Sequence, residues 1–118
     1  MSPSVPIWPS ANRVNGNRVL AAIVRRVVDI ARPERIILFG SRARGKARRG
    51  SDYDILVVKS GNYSRRKLAM KLHRRFFGIP ASVDVLVATP EMLEKYKTVP
   101  ALIYFHILRE GHTVYASE

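Results

Sequence analysis

The residues best suited to chemistry lie in one stretch, FGSRARGKARRGSDYDILV, from Phe39 to Val57. In this stretch a Gly-Ser turn is followed by a run of arginines and then by two aspartates one residue apart. Glycine lets the backbone approach a phosphate closely, and guanidinium groups neutralise phosphate charge. Paired carboxylates bind the divalent cation that accompanies a polyphosphate. The stretch therefore predicts a site for a polyphosphate and its metal.

Three of the nine acidic residues fall in apolar strand-like segments, namely Asp52, Asp54 and Asp84. Side chains at positions i and i+2 of a strand share a face, about 6 to 7 Å apart. Asp84 enters a neighbouring strand in a similar position. Three converging carboxylates favour two Mg²⁺ ions, with Mn²⁺ as the other candidate. The alternative is that Asp52 caps the preceding turn while Asp54 pairs with an arginine.

The turn at Gly40-Ser41 follows a predicted strand directly. Ser41 can offer a hydroxyl and a backbone N–H to a phosphate. If the next residues begin a helical turn, the free N–H groups at its start face the triphosphate, and Arg42 and Arg44 neutralise its charge. The alternative is a flexible basic loop, and this interpretation is preferred for three later cations, Lys46, Arg48 and Arg49.

The elements that must position these residues follow from hydrophobic spacing and from helix start and stop signals. Helices are predicted at 17–31, 63–77, 90–98 and 100–109, and strands at 35–40, 51–59, 82–89 and 112–116. The order predicts an α/β (α+β) fold, a mixed β-sheet with helices packed on it. Residues 1–16 are expected to form an irregular arm, and residues 17–118 a single domain.

The amino-acid composition limits the classes of partner that the chain is expected to bind. With 21 Lys+Arg against 9 Asp+Glu, the net charge is +12, which favours nucleotide, RNA or an acidic protein face. The basic helix predicted at 63–77 is either a docking surface for such a partner or a solvated face. The absence of cysteine excludes disulfides and thiolate zinc sites. Without a membrane-length apolar run or a signal-peptide pattern, we expect a cytoplasmic protein with no membrane partner.

The stretch from Phe39 to Val57 resembles the signature of the DNA polymerase β-like nucleotidyltransferase superfamily. It contains a Gly-Ser pair, Gly40-Ser41, and an Asp-Tyr-Asp triplet, Asp52-Tyr53-Asp54, with ten residues between them. The form GSRARG…SDYD is similar to its minimal members, the nucleotidyltransferases found beside HEPN-domain proteins. The resemblance extends from about residue 17 to residue 115. It implies that Gly40 and Ser41 hold the triphosphate, that Asp52 and Asp54 ligate metal, and that Asp84 completes the site.

The same resemblance implies an activity. It predicts an ATP-dependent transfer of AMP to a hydroxyl, expected to be a tyrosine, of a partner HEPN toxin, so that the chain acts as an antitoxin. We expect no helical substrate domain like that of larger members, so the acceptor is expected to come from the partner, with Asp84 polarising its hydroxyl. Two alternatives stay open: a catalytically silent toxin-binding module, and a transferase acting on RNA or a small molecule.

Overall fold

The computed structural model describes residues 17–46 and 52–117. The predicted arm at 1–16 lies outside these ranges. The described part contains five helices and four strands, and the predicted mixed sheet with packed helices is confirmed. The elements are α1 (Arg18–Ala31), β1 (Arg35–Phe39), α2 (Gly40–Ala43), β2 (Tyr53–Val58), α3 (Arg65–Arg74), β3 (Val83–Ala88), α4 (Pro90–Tyr96), α5 (Ile103–Glu110) and β4 (His112–Ala116).

The four strands form one sheet in the order β3-β2-β1-β4. Strand β1 runs antiparallel to both β2 and β4, whereas β2 and β3 are parallel. A parallel pair needs a crossover connection, and α3 provides it. The parallel register places Asp54 opposite Asp84, and the antiparallel register places Phe39 opposite Asp54. Three strands therefore bring the ends of the predicted motifs to the same end of the sheet.

Each face of the sheet carries its own apolar core, because successive strand residues point to opposite faces. On one face, residues such as Ile36, Leu38 and Ile55 pack with α1 and with Leu72 of α3. On the other face, the buried core consists of Ile37, Leu56, Val58, Ala88, Leu93 and Ile107, the last two from α4 and α5. The sheet is thus the middle layer between two pairs of helices.

Helix α3 is shorter than predicted at both ends. It was expected from Tyr63, but it begins at Arg65 because the Ser64 hydroxyl accepts a hydrogen bond from the Lys67 N–H at 3.2 Å. Such a side-chain bond satisfies a donor that has no partner inside the helix. The helix ends at Arg74, and a turn continues to Gly78, whose φ of 88° reverses the chain.

Two other predicted helix ends are confirmed. Arg32, before a proline, adopts a left-handed conformation with φ of 46° and ends α1. The Thr89 hydroxyl accepts from the Met92 N–H at 3.2 Å and starts α4. The start predicted for α5 at Pro100 was wrong, because residues 99–102 form a hydrogen-bonded turn before Ile103.

None of the helices in the described ranges combines the length and apolar character needed to cross a membrane.

Gly111 joins α5 to β4 in a space that admits no side chain. A Cβ there would lie 2.5 Å from the Ile107 carbonyl oxygen and 2.6 Å from Ile37 Cγ2. Its φ of −77° is ordinary, so the close contacts alone require glycine. We expect Gly111→Ala to lower the free energy of unfolding by about 1 to 3 kcal/mol, as overpacking does. Urea denaturation tests this, with a larger loss expected for Gly111→Val; an unchanged midpoint in both variants would contradict it.

Candidate active site

Two carboxylates meet at the end of the parallel strand pair. Asp54 and Asp84 are register partners in β2 and β3, and they share the sheet face that carries α4 and α5. Asp54 is half-buried and Asp84 is exposed. Burial raises the pKa of the Asp54 carboxyl; the charge of Asp84 and a hydrogen bond that Asp84 accepts from the protonated form raise it further. The pair therefore holds more negative charge than its surroundings stabilise.

Asp52 lies at the margin of this pair. It was expected in the strand, but β2 begins at Tyr53, where pairing with Val83 starts, so Asp52 precedes the strand and is exposed. Its charge still contributes to raising the pKa of Asp54. Within residues 17–46 and 52–117, no three His, Cys, Asp or Glu side chains lie together in a group that could hold a metal ion. The structure thus brings together two of the three predicted ligands.

The donor chemistry of the pair fits a hard divalent cation. Carboxylate oxygens are the ligands that Mg²⁺ and Mn²⁺ prefer, and a cation would relieve the repulsion that raises the Asp54 pKa. Metal binding by all three aspartates stays a prediction.

The Gly-Ser turn lies directly against Asp54. Residues Gly40–Ala43 form a single helical turn, as the sequence allowed, and Gly40 has a φ of 75°. A Cβ on Gly40 would overlap the Asp54 Oδ2 atom. The backbone can therefore approach the carboxylate only where no side chain is present. Ser41, the next residue of the turn, is half-buried.

The two predicted phosphate-neutralising arginines are placed differently. The charge of Arg44, an exposed residue, lowers the pKa of Asp54, so this guanidinium acts on the carboxylates. The guanidinium of Arg42 lies 3.9 Å from the ring centroid of Tyr53, whose side chain belongs to the core on the α1 and α3 face. Arg44 is thus better placed to face a phosphate, and the nucleotide-binding role of Arg42 stays a prediction.

The loop predicted after the Gly-Ser turn lies only partly within the described residues. The Lys46 N–H donates to the Ser41 carbonyl oxygen at 2.9 Å, so the backbone there continues the turn. Arg48 and Arg49 lie outside the described residues, as does Ser51.

His112 contacts the helical turn Gly40–Ala43, and the sequence patterns did not indicate this contact. Its Nε2 lies 2.7 Å from the carbonyl oxygen of Ala43, the last residue of α2. The pairing of β4 with β1 places His112 opposite Leu38, next to the start of the turn. The two residues are far apart in the chain, and the sequence has no spacing that links them. Only the strand pairing reveals this contact.

Comparison with known families decides the classification. The model of the family described as "Polymerase beta, Nucleotidyltransferase" matches residues 22–118. The chain belongs to this family. The match spans the Gly40 turn and all three aspartates, and it confirms the resemblance that the Gly-Ser and Asp-Tyr-Asp motifs indicated. The protein is accordingly a nucleotidyltransferase-type transferase of the polymerase β-like superfamily.

One solved structure agrees with the fold. A candidate nucleotidyltransferase from Sulfolobus solfataricus is 31% identical, with a TM-score of 0.52 over 66% of this chain and 70% of that one. A toxin–antitoxin structure with AMP-PNP is 21% identical, with a TM-score of 0.49 over 81% of this chain and 73% of that one. The second overlap is too loose to assign its ligand or partner to this nucleotidyltransferase. No curated protein matches the chain.

The closeness of Gly40 to Asp54 generates a prediction with a matched control. Gly40 and Gly45 have similar φ values of 75° and 71°, but a Cβ on Gly45 would meet nothing within 4 Å. Alanine at either position therefore costs about 1 to 2 kcal/mol of backbone strain. We expect Gly40→Ala also to weaken nucleotide binding at least about tenfold, a loss of about 1.4 kcal/mol. Calorimetric titration with a non-hydrolysable ATP analogue measures this; equal affinities in both variants would contradict it.

The raised pKa of Asp54 generates a stability prediction. The pKa of the Asp54 carboxyl is higher in the folded state than its value of about 3.9 in the unfolded chain. Its contribution to stability is therefore fully present below the unfolded pKa and is lost as the pH rises through the folded pKa. The ionised carboxylate therefore destabilises the metal-free protein at neutral pH. We expect Asp54→Asn to melt at a higher temperature than wild type in chelator, by differential scanning fluorimetry.

Asp29→Asn is the control, because Asp29 is an exposed aspartate on α1 away from the pair. It should leave the melting temperature unchanged. Mg²⁺ with nucleotide should stabilise wild type over Asp54→Asn, by about 1.4 kcal/mol at tenfold excess over the dissociation constant. A wild-type melting temperature that responds to neither Mg²⁺ nor Mn²⁺ with nucleotide would exclude a metal site at these aspartates.

Proposed function

We propose that this nucleotidyltransferase transfers AMP from ATP to a hydroxyl, expected to be a tyrosine, of a partner HEPN toxin, and so acts as an antitoxin. Family membership supports the transfer of a nucleotidyl group. The resemblance of GSRARG…SDYD to minimal nucleotidyltransferases supports the antitoxin role. Neither source identifies the acceptor, so the transfer assay must locate the AMP group on its target.

The observation that carries the proposal is the contact between the Gly40 turn and the Asp54–Asp84 pair. A glycine backbone with φ of 75° lies against Asp54, and Asp84 lies beside Asp54 in the parallel register. A phosphate-binding backbone and a carboxylate pair are therefore adjacent. Nucleotidyl transfer needs this adjacency, because the triphosphate and the groups that balance its charge must be held together.

The turn, the arginine and the aspartates have different roles in the proposed reaction. The turn at Gly40 and Ser41 binds the triphosphate through backbone N–H groups, which lack partners inside the first turn of a helix. Arg44 neutralises phosphate charge. Asp52, Asp54 and Asp84 would hold Mg²⁺, which when bound supplies charge neutralisation at the phosphates. The exposure of Asp84 leaves it accessible to a second substrate at the edge of the sheet.

Asp84 is the proposed base for the acceptor. The hydroxyl oxygen attacks the α-phosphorus and forms a new P–O bond, while the bond to the bridging oxygen of the β-phosphate breaks. The hydroxyl proton passes to the Asp84 carboxylate, and pyrophosphate leaves with the electron pair of the broken bond. Because the carboxylate only has to accept a proton from a positioned hydroxyl, its exposed location suits the task.

The test is a transfer assay with purified chain, labelled ATP, Mg²⁺ and the HEPN protein of the same source. We expect AMP on the HEPN protein, measured by intact mass and located by peptide mapping. Asp52→Asn and Asp54→Asn should each abolish transfer because each removes a proposed metal ligand. Ser41→Ala should weaken it less, since the backbone N–H groups remain. Asp29→Asn controls for the loss of one negative charge.

Three results would reject parts of the proposal. Full transfer by Asp54→Asn would reject the metal mechanism. Neutralisation of the toxin without ATP, and without label on it, would identify a silent binding module. Label on RNA or on a small molecule, with none on the HEPN protein, would keep the nucleotidyltransferase but change its acceptor.

A further inference from the structure

The exposed side of α3 is strongly basic and lies on the sheet face opposite the carboxylate pair. From Tyr63 to Phe77 the chain has no acidic residue. Among the described residues, none of the cations of this segment forms an ion pair with a carboxylate. We define the α3 surface as these exposed cations together with Met70 and Phe77; the cations are Arg65, Arg66, Lys67, Lys71, Arg74 and Arg75.

Phe77 is the unusual member of this surface. Its side chain is 91% exposed, whereas its neighbour Phe76 is 7% exposed and packs in the core. The backbone that presents Phe77 is well held, because Arg26 of α1 donates to the carbonyl oxygens of Arg75 and Phe77, both at 2.7 Å. A fixed turn thus displays an aromatic ring to solvent beside several guanidinium groups.

The combination indicates a polyanion that also carries flat apolar groups. Protein–protein interfaces are depleted of lysine in their core, whereas nucleic-acid interfaces are far more positively charged. Bases in a single strand stack on exposed aromatic rings, while bases in a duplex are already stacked. RNA presents such single-stranded segments to proteins in its loops, bulges and ends. We infer that the α3 surface binds single-stranded RNA, with its cations on the phosphates and Phe77 stacked on a base.

This inference goes beyond the proposed transfer reaction, and its test needs neither ATP nor metal. The probe is a fluorescein-labelled oligouridine of about 12 nucleotides, a length within the range that one binding module covers. The fluorescence anisotropy of this probe is measured as the full chain is added, in a buffer that contains a chelator. We expect binding at about 50 mM salt that weakens on a log–log plot with a slope of about −0.7 for each phosphate contacted.

The charge contribution is tested with two matched double variants. Replacing Arg66 and Arg74 by alanine removes two cations from the α3 surface and should reduce the magnitude of the salt slope by about 1.4. Replacing Lys95 and Arg109 by alanine removes the same charge from exposed positions on α4 and α5, on the other face of the sheet. This control should leave the slope unchanged. Equal effects of the two double variants would overturn the assignment of the surface.

The stacking contribution is tested at Phe77, whose exposure makes a folding defect unexpected. Phe77→Ala should weaken oligouridine binding about 5- to 150-fold, the loss of one stacked base. Phe77→Trp keeps an aromatic ring and should bind oligouridine as wild type does, whereas Phe77→Leu should bind it as weakly as Phe77→Ala does. Heparin, a polyanion without bases, is the second ligand, and its affinity should be the same for wild type and Phe77→Ala.

Four outcomes would overturn the inference. The first is that oligouridine does not bind at low salt, and the second is that Phe77→Ala loses heparin binding and oligouridine binding equally. The third is that an oligouridine–oligoadenine duplex binds as tightly as single-stranded oligouridine. The fourth is that a polyglutamate peptide binds more tightly than RNA. The last result would assign the surface to an acidic protein instead. Because Asp54→Asn should bind RNA like wild type, loss of transfer and loss of RNA binding are distinguishable.

Discussion

The close approach of the Gly40 backbone to the Asp54 carboxylate is the constraint on which the site depends. Strand β1 ends at Phe39, directly opposite Asp54, and the next residue must turn the chain across the end of the sheet. Gly40 does this with a φ of 75°, in a space that a Cβ would share with Asp54 Oδ2. A positive φ and a steric limit thus apply to the same residue, and only glycine satisfies both.

The carboxylate pair has an energetic cost that nearby protein charges offset only in small part. Burial and the neighbouring Asp84 both raise the pKa of Asp54, and the opposing influence of Arg44 is the smallest of the effects. Perturbed pKa values cluster at functional sites. Membership of the nucleotidyltransferase family gives a reason for the raised pKa, because a polyphosphate substrate arrives with cations.

The layered architecture separates the two surfaces that we assign. The carboxylates lie on the face covered by α4 and α5, whereas α1 and α3 cover the other face. Helix α3 is nevertheless linked to both, since it is the crossover between the parallel strands β2 and β3 that carry Asp54 and Asp84. Its inner residue Leu72 is fully buried, and its outer residues carry the basic surface. The inner side of this helix thus packs against the sheet, and its outer side is the surface that we propose for RNA binding.

The sequence by itself determined the local features. The Gly-Ser turn, the spacing to the two aspartates, the capping signals at Thr89 and before Pro33, and the alternation of apolar residues depend on interactions within a few residues, so they could be predicted. The position of Asp84 in a neighbouring strand followed from the same alternation. The sequence also placed the chain in its family, because the motif is specific.

Tertiary structure alone decided which of these features meet. The parallel pairing of β2 with β3 places Asp84 beside Asp54, and it begins at Tyr53, so Asp52 lies outside the strand. The support of the Ala43 carbonyl by His112 and the stacking of Arg42 on Tyr53 arise from chain segments joined by packing. Long-range pairings depend on how apolar faces bury one another across the whole domain, and no local pattern records that outcome.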